Sequence, residues 1–302
     1  MQPLTRLSEE ALTVIEKGIT PRDRSAQNLP AIRAKSKAVA TAEAPRLCRT
    51  HGVMIVETVI GGVPCLNVSP PDRRVDWPVL YGFGGGMVEG SPIEDLPIIA
   101  PLSALSGARF IAPDYRLAPE HPWPAGLDDC FVVYRELAEN HFAIVGESAG
   151  ANLTLALMLK AKAEGLRLPG AAALLSPWCD LSNAGDSLIF NEGRDPTLAK
   201  KNSYLAASYY AGVNRIDQPL ISPIHGAFDP GFPPFLITTG TRDLLLSQSV
   251  MLSQRLRDSG AQVDLHVWEG LWHVFEWYEA LPEAQQSIAR IADHLIREMA
   301  VG

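Results

Sequence analysis

HFAIVGESAGANLTLALML, residues 141–159, decides how this chain is read. It opens on an apolar run of the length of one buried strand, turns through Gly146-Glu147-Ser148-Ala149-Gly150, and continues into apolar residues three and four apart. The turn matches G-x-S-x-G, and a strand before it with a helix after it is the context in which that pattern marks a nucleophile on a tight elbow. Such an elbow strains the serine backbone and crowds it, so small residues at Gly146 and Gly150 supply space. The N–H of Ala149 then points toward the reacting oxygen. The plainer reading, a Gly/Ser loop that only turns the chain, is outweighed by the flanking strand and helix.

Working outward, short apolar or β-branched runs alternate with longer helix-like segments, the pattern of an α/β protein with a largely parallel sheet. Eight strands are predicted near residues 54–59, 63–68, 78–82, 109–113, 142–146, 171–175, 234–238 and 262–267. The first two are separated by Gly61-Gly62, a hairpin signal. Runs 142–146 and 171–175 are nearly all apolar or small, as central strands covered on both faces require. Helices are predicted over 91–105, 126–139, 148–164, 247–258 and 284–298. Residues 1–50 and 181–217 fall outside the alternation and look helical, with Ser8 and Gly18 placed as cap and stop. They are read as two cap segments over a core formed by 51–180 and 218–302.

Composition bounds the function. The 302 residues carry 26 Lys and Arg against 34 Asp and Glu, a net charge of -8, with no basic run to track a phosphate backbone. Nucleic acid is therefore not an expected partner. The four cysteines, Cys48, Cys65, Cys130 and Cys179, contain no C-x-x-C pair, which suggests neither a zinc site nor a disulfide framework. The first residues hold two adjacent acids and no continuous apolar stretch, unlike a signal peptide. Nowhere does an apolar run approach the ~20 residues that span a bilayer. The expectation is a cytoplasmic protein without membrane association, its oligomeric state open, a homodimer included.

A serine hydroxyl needs a base and an orienting carboxylate, which follow it in the order Ser, Asp, His on this kind of fold. His51, His121 and His141 precede Ser148. His294 lies in a helical pattern, His266 in an alternating strand, and His225 lacks a well-placed upstream carboxylate. His273, in a loop after the last strand, remains. Asp243 follows the strand 234–238 closely, at the carboxyl edge where ligands of open α/β sheets gather. Asp229, Asp258 and Asp264 read better as loop, cap and solvated-face residues. Gly82-Phe83-Gly84-Gly85-Gly86 directly follows another strand, and its unobstructed amides suit a developing oxyanion. A dinucleotide fingerprint fails there because Met87 and Glu89 stand where its last glycine would fall, and no P-loop lysine exists.

With GESAG in place, the stretch Asp114-Tyr115-Arg116-Leu117-Ala118-Pro119-Glu120 with Pro122 and Pro124, the run Leu175-Ser176-Pro177-Trp178 with Asp180, Ser222-Pro223, and Asp243 with Leu245 together resemble the hormone-sensitive-lipase-like family of α/β-hydrolase esterases. The resemblance covers about residues 78–276. It implies an α/β-hydrolase fold with an eight-stranded, mostly parallel sheet flanked by helices, a helical cap, no metal or organic cofactor, and hydrolysis of small-molecule esters of short to medium acyl chain. Two positions depart from the family: Phe83 stands where its glycine motif usually begins with His, and Glu147 where Asp or Thr usually precedes the nucleophile.

The expected chemistry is that of a carboxylesterase. Ser148 attacks, His273 moves the proton, Asp243 orients the imidazole, and Gly84, Gly85 and Ala149 donate to the oxyanion. Phe83, Met87, Trp178, Phe190, Tyr209, Leu246 and Val274 are candidates for an apolar acyl or alcohol pocket. An amidase, arylformamidase or lactonase on the same triad, or a non-catalytic ligand-binding protein of the same fold, are the alternatives. Ester against amide turnover separates the first group, and a complete triad speaks against the last.

Overall fold

The computed structural model describes residues 7–18 and 23–300, so residues 1–6 and 19–22 of the expected first cap segment, and 301–302 at the other end, lie outside it. All eight predicted strands form one sheet in the order β1-β2-β4-β3-β5-β6-β7-β8. They are β1 (Met54–Ile60), β2 (Val63–Ser69), β3 (Val79–Gly82), β4 (Phe110–Pro113), β5 (Ala143–Glu147), β6 (Ala171–Leu175), β7 (Phe235–Gly240) and β8 (Val263–Trp268). The hairpin β1–β2 and the pair β2–β4 are antiparallel; every pairing from β4 to β8 is parallel.

Burial follows composition. Every residue of β3 to β7 is buried, and apart from Glu147 at the end of β5 these strands read as apolar or small runs because helices cover both faces. The edge strands β1 and β8 interleave exposed and half-buried residues instead. The covering helices are α3 (Leu96–Ser106), α4 (Ala125–Leu137), α5 (Ala149–Ala163), α8 (Leu246–Asp258) and α9 (Pro282–Met299). Of these, α3 starts five residues later than its pattern suggests. Pro97 belongs in a first turn, where its missing N–H costs nothing, and Ser91 Oγ donates to Glu94 Oε1 at 2.7 Å to close a separate turn ahead of it.

Four helices lie outside the alternating pattern: α1 (Glu9–Lys17), α2 (Leu29–His51), α6 (Ser187–Phe190) and α7 (Lys200–Ala211). The Ser8 side chain accepts from Ala11 N–H as predicted, and its own N–H and hydroxyl donate to the two oxygens of Glu283 at 2.8 Å each. That clamp sets α1 on α9, over a small cluster formed by Ala11, Leu271, Trp272, Phe275, Leu281 and Ala284. The two segments expected to form the cap touch where Ala26 N–H donates to the Tyr209 hydroxyl at 3.0 Å. No helix among the described residues is long and apolar enough to cross a membrane.

Candidate active site

The parallel strands β3, β5, β7 and β8 deliver the site to one edge of the sheet. Gly82, at the end of β3, pairs with Gly146 of β5, so the glycine loop and the serine elbow leave the sheet side by side. Ser148 sits at φ 52° and ψ −116°, a left-handed conformation that costs a non-glycine residue on the order of 1–3 kcal/mol. The surroundings hold it there: its N–H donates to Leu175 O at 2.8 Å and its carbonyl accepts from Trp178 N–H at 3.1 Å. A Cβ at Gly150 would collide with the backbone of Gly82 and Phe83, and one at Gly146 with Thr154 and the Gly150 backbone. The elbow therefore needs both glycines for close approach.

Ser148, His273 and Asp243 come together although 125 and 30 residues of sequence separate the partners of the two contacts. His273 Nε2 lies 2.9 Å from Ser148 Oγ, and His273 Nδ1 lies 3.0 Å from Asp243 Oδ1. Asp243 is fully buried, and the other two are 8% exposed. Its Oδ1 also accepts from Leu245 N–H at 2.8 Å and its Oδ2 from Thr239 Oγ at 2.9 Å. Burial alone would raise the Asp243 carboxyl, but the His273 imidazole and hydrogen bonds from His273, Ser176 and Leu245 hold it below the ordinary value. Burial likewise works against charge on His273, yet the Asp243 carboxylate, with Asp195 and Glu276 farther off, carries its pKa above that of an ordinary histidine.

Asp195 was not singled out in the sequence. Its Oδ2 accepts from Leu244 N–H at 3.1 Å and from His273 N–H at 3.3 Å, while Oδ1 takes Thr197 N–H, Thr197 Oγ and Leu198 N–H. One buried carboxylate thus ties the acid loop and the histidine loop to the segment around residues 195–198. Asn191 adds to the tie, donating to Thr241 O and Asp243 O at 3.1 and 2.8 Å. Burial and the nearby Asp243 raise the Asp195 carboxyl above the ordinary value. The segment around Asp195 has no strand or helix period, and its partners lie about fifty and eighty residues away, so spacing carried no signal.

The glycine loop divides its labour differently from the expectation. Gly84 N–H is turned to the carboxyls of Glu147 and Asp95, and a Cβ at Gly84 would land on the Glu147 carboxyl. Gly85 and Gly86, with φ of 98° and 66°, expose amides that no protein acceptor takes among the described residues. Gly86 was not predicted. Gly84, Gly85 and Gly86 all line the site cavity, and Ala149 N–H opens α5 beside Ser148. The loop is held from behind by Tyr115, whose hydroxyl donates to Phe83 O at 2.7 Å.

The cavity above Ser148 measures about 250 Å³ and is walled by Trp178, Leu198, Ala206, Leu245, Val274 and Trp277 on its apolar side. Trp178 and Val274 are where the sequence placed them. Phe83, Met87, Phe190, Tyr209 and Leu246 do not line it. The ring of Phe83 turns away and stacks on Tyr115 with centroids 4.0 Å apart, and Met87 is packed into the core beside it. Phe190 ends α6 on its outer face, 71% exposed, because Ser187 and Asn191 take the inward positions. Tyr209 is engaged by Ala26, and at the start of α8 it is Leu245, not Leu246, that faces the site. The polar wall is formed by Glu89, Glu94, Asp95 and Glu147, with Arg24 in an ion pair to Glu89. A larger groove of about 950 Å³ between α1, α2 and residues 277–281 adjoins the cavity, sharing Ser36, Glu94, Trp277 and Tyr278. Among the described residues no His, Cys, Asp and Glu cluster is arranged to hold a metal ion.

Comparison with known proteins identifies the family. A family model described as alpha/beta hydrolase fold matches residues 79–277. The chain is 33% identical to an acetyl-hydrolase of Streptomyces hygroscopicus over 72% of its own length and 75% of that protein. It is 32% identical to an esterase of Acinetobacter venetianus, covering 71% and 73%. Among solved structures it is similar to an esterase from the bacterial hormone-sensitive lipase family, with a TM-score of 0.87 and 30% identity over 98% of this chain and all of that one.

Proposed function

This chain belongs to the hormone-sensitive-lipase-like esterases of the α/β-hydrolase fold, and from that premise we propose that it is a serine carboxylic ester hydrolase acting on short- to medium-chain acyl esters through an acyl-enzyme. The observation that carries the reading is the continuous hydrogen-bond chain from Ser148 through His273 to Asp243 in the lining of the site cavity.

In this mechanism His273 Nε2 accepts the Ser148 hydroxyl proton as Oγ attacks the ester carbonyl carbon. Asp243 holds Nδ1–H and stabilises the imidazolium that forms. The carbonyl oxygen becomes an oxyanion met by the amides of Gly85, Gly86 and Ala149; removal of one such donor costs about 3 kcal/mol of barrier in a serine hydrolase. His273 then gives its proton to the leaving alkoxide, the C–O bond breaks, and an acyl-Ser148 ester remains. Water attacks that ester with His273 again as base and releases the acid. The cavity, below the ~300 Å³ at the small end of ligand pockets, supports a short arm of the ester inside, with the adjoining groove open to the other arm.

A fluorophosphonate should add its mass to the peptide containing Ser148, and an aryl ester should give a burst of phenol before the steady state, the kinetic sign of a covalent intermediate. Ser148→Ala should lower kcat by roughly 10⁶-fold. An adduct on any other residue of the active protein overturns the assignment.

A further inference from the structure

Two carboxyls meet behind the glycine loop. Glu147 ends β5 one residue before Ser148, and Asp95 directly precedes α3; each is 6% exposed, and both face the site cavity. Burial first, and then each carboxyl's charge or that of its acidic neighbours, raises both, so the pair favours holding one proton over ionising twice. The Tyr81 hydroxyl donates to Asp95 Oδ2 at 2.9 Å, and Gly84 N–H supplies a further donor to the pair. Since a Cβ at Gly84 would land on the Glu147 carboxyl, that carboxyl lies flat against the backbone of the loop. From the other side the Phe83 ring stacks on Tyr115, whose hydroxyl donates to Phe83 O, so side-chain fastening of the loop is shared between that hydroxyl and the carboxyls.

The charges around the pair explain why the proton stays. Among the described residues, the one Lys or Arg lining the cavity is Arg24, and it is taken by Glu89. Glu94, in the turn before Asp95, and Glu276, on the loop after His273, add negative charge from two further directions, while Tyr81 reaches in from β3. Burial first, and then these neighbours, push both carboxyls above the ordinary range.

We propose that Glu147 and Asp95, sharing one proton, are positioning residues for ester hydrolysis: they anchor the Gly84 amide and so aim the following amides of Gly85 and Gly86 at the developing oxyanion. With one proton the pair carries a single charge and fastens the loop. Loss of that proton leaves two like charges in contact, next to a site where a third must form, which both loosens the anchor and opposes the transition state. This role rests on the acyl-transfer reading given above.

The test is the pH dependence of kcat and KM on a soluble short-chain aryl ester for wild type, Glu147→Gln and Glu147→Ala. Each protein is checked for folding by its thermal midpoint, and wild-type Ser148 is titrated with a fluorophosphonate. Wild-type kcat should fall again on the alkaline side. Glu147→Gln keeps an acceptor for Gly84 and a donor for Asp95 but has no proton to lose, so it should lose that alkaline limb and retain more kcat than Glu147→Ala. The alanine variant should lose roughly 10²-fold in kcat with little change in KM, the scale of a donor displaced by about 1 Å. An alkaline limb that persists unshifted in Glu147→Gln, a wild-type plateau unbroken to the alkaline edge of folding, or a folded Glu147→Ala with wild-type kcat overturns the proposal. If the alanine variant does not fold, the glutamine profile decides alone. Failure to label Ser148 in active wild type sinks the acyl-transfer reading itself, whereas labelling with an unchanged glutamine profile sinks only the carboxyl pair.

Discussion

His273 is poised by opposed effects at a single residue: burial resists its charge, and the Asp243 carboxylate 3.0 Å away more than compensates. Because only the neutral imidazole accepts the Ser148 proton, kcat/KM should rise with pH through an apparent pKa above the ~6.5 of an ordinary histidine. Asp243→Asn should lower that apparent pKa and cut kcat by about 10⁴-fold, since the amide no longer selects the working tautomer. A profile whose acid limb is the same in both proteins would count against a His273 base oriented by Asp243. The same shifts set signs for stability. The raised His273 contributes stability that is complete below its unfolded pKa and is lost as pH climbs through the folded one. The depressed Asp243 contributes stability present above the ordinary carboxylate pKa and lost as pH falls through its own lower value.

At the scale of elements, the catalytic loops are short and end rigid strands, yet the loop carrying Asp243 and the loop carrying His273 are fastened mainly by a segment with little regular structure. Residues 187–198 reach them through Ser187, Asn191 and Asp195, and every one of these side chains bonds backbone of the acid or histidine loop. Replacing Asp195 by Ala strands several buried N–H groups at once, so it should cost about 3 kcal/mol, toward the upper end of single substitutions. It should also lower kcat more than it raises KM, because what is lost is alignment of the histidine loop and not the cavity wall. Denaturant unfolding and steady-state kinetics on Asp195→Ala and Asp195→Asn check this, the latter expected to fall between alanine and wild type. Wild-type kcat in a folded Asp195→Ala would show that the histidine loop holds its place without the tie.

For the molecule as a whole, the small cavity of about 250 Å³ beside a groove of about 950 Å³ predicts a steep dependence on acyl length. Among aryl esters differing only in the acyl group, kcat/KM should peak at short chains and fall for long ones, and no jump should appear when a lipid interface forms. A rising preference through long acyl chains would mean that the acyl arm occupies the groove. The architecture behind this was legible locally. Sequence pattern marked all eight strands, the central ones because buried parallel strands are nearly continuously apolar, and G-x-S-x-G marked the elbow, because its glycines are required by contacts with adjacent backbone. The three triad positions followed from order along the chain and distance from strand ends. Which side chains face the cavity was a different matter. Phe83 and Met87 flank the glycine loop but turn into the core, and Leu245 rather than its neighbour Leu246 points inward, since side-chain direction in an irregular loop has no period to read. Asp195, Asp95 and Glu147 acquire their roles from partners brought near by the crossovers of the sheet. Local sequence determined the strands, the elbow and the order of the reacting groups, because each is set by neighbours in the chain; only the tertiary structure decided the cavity wall, the tie through Asp195 and the amide that meets the carboxyls, because each is a contact between segments far apart in sequence.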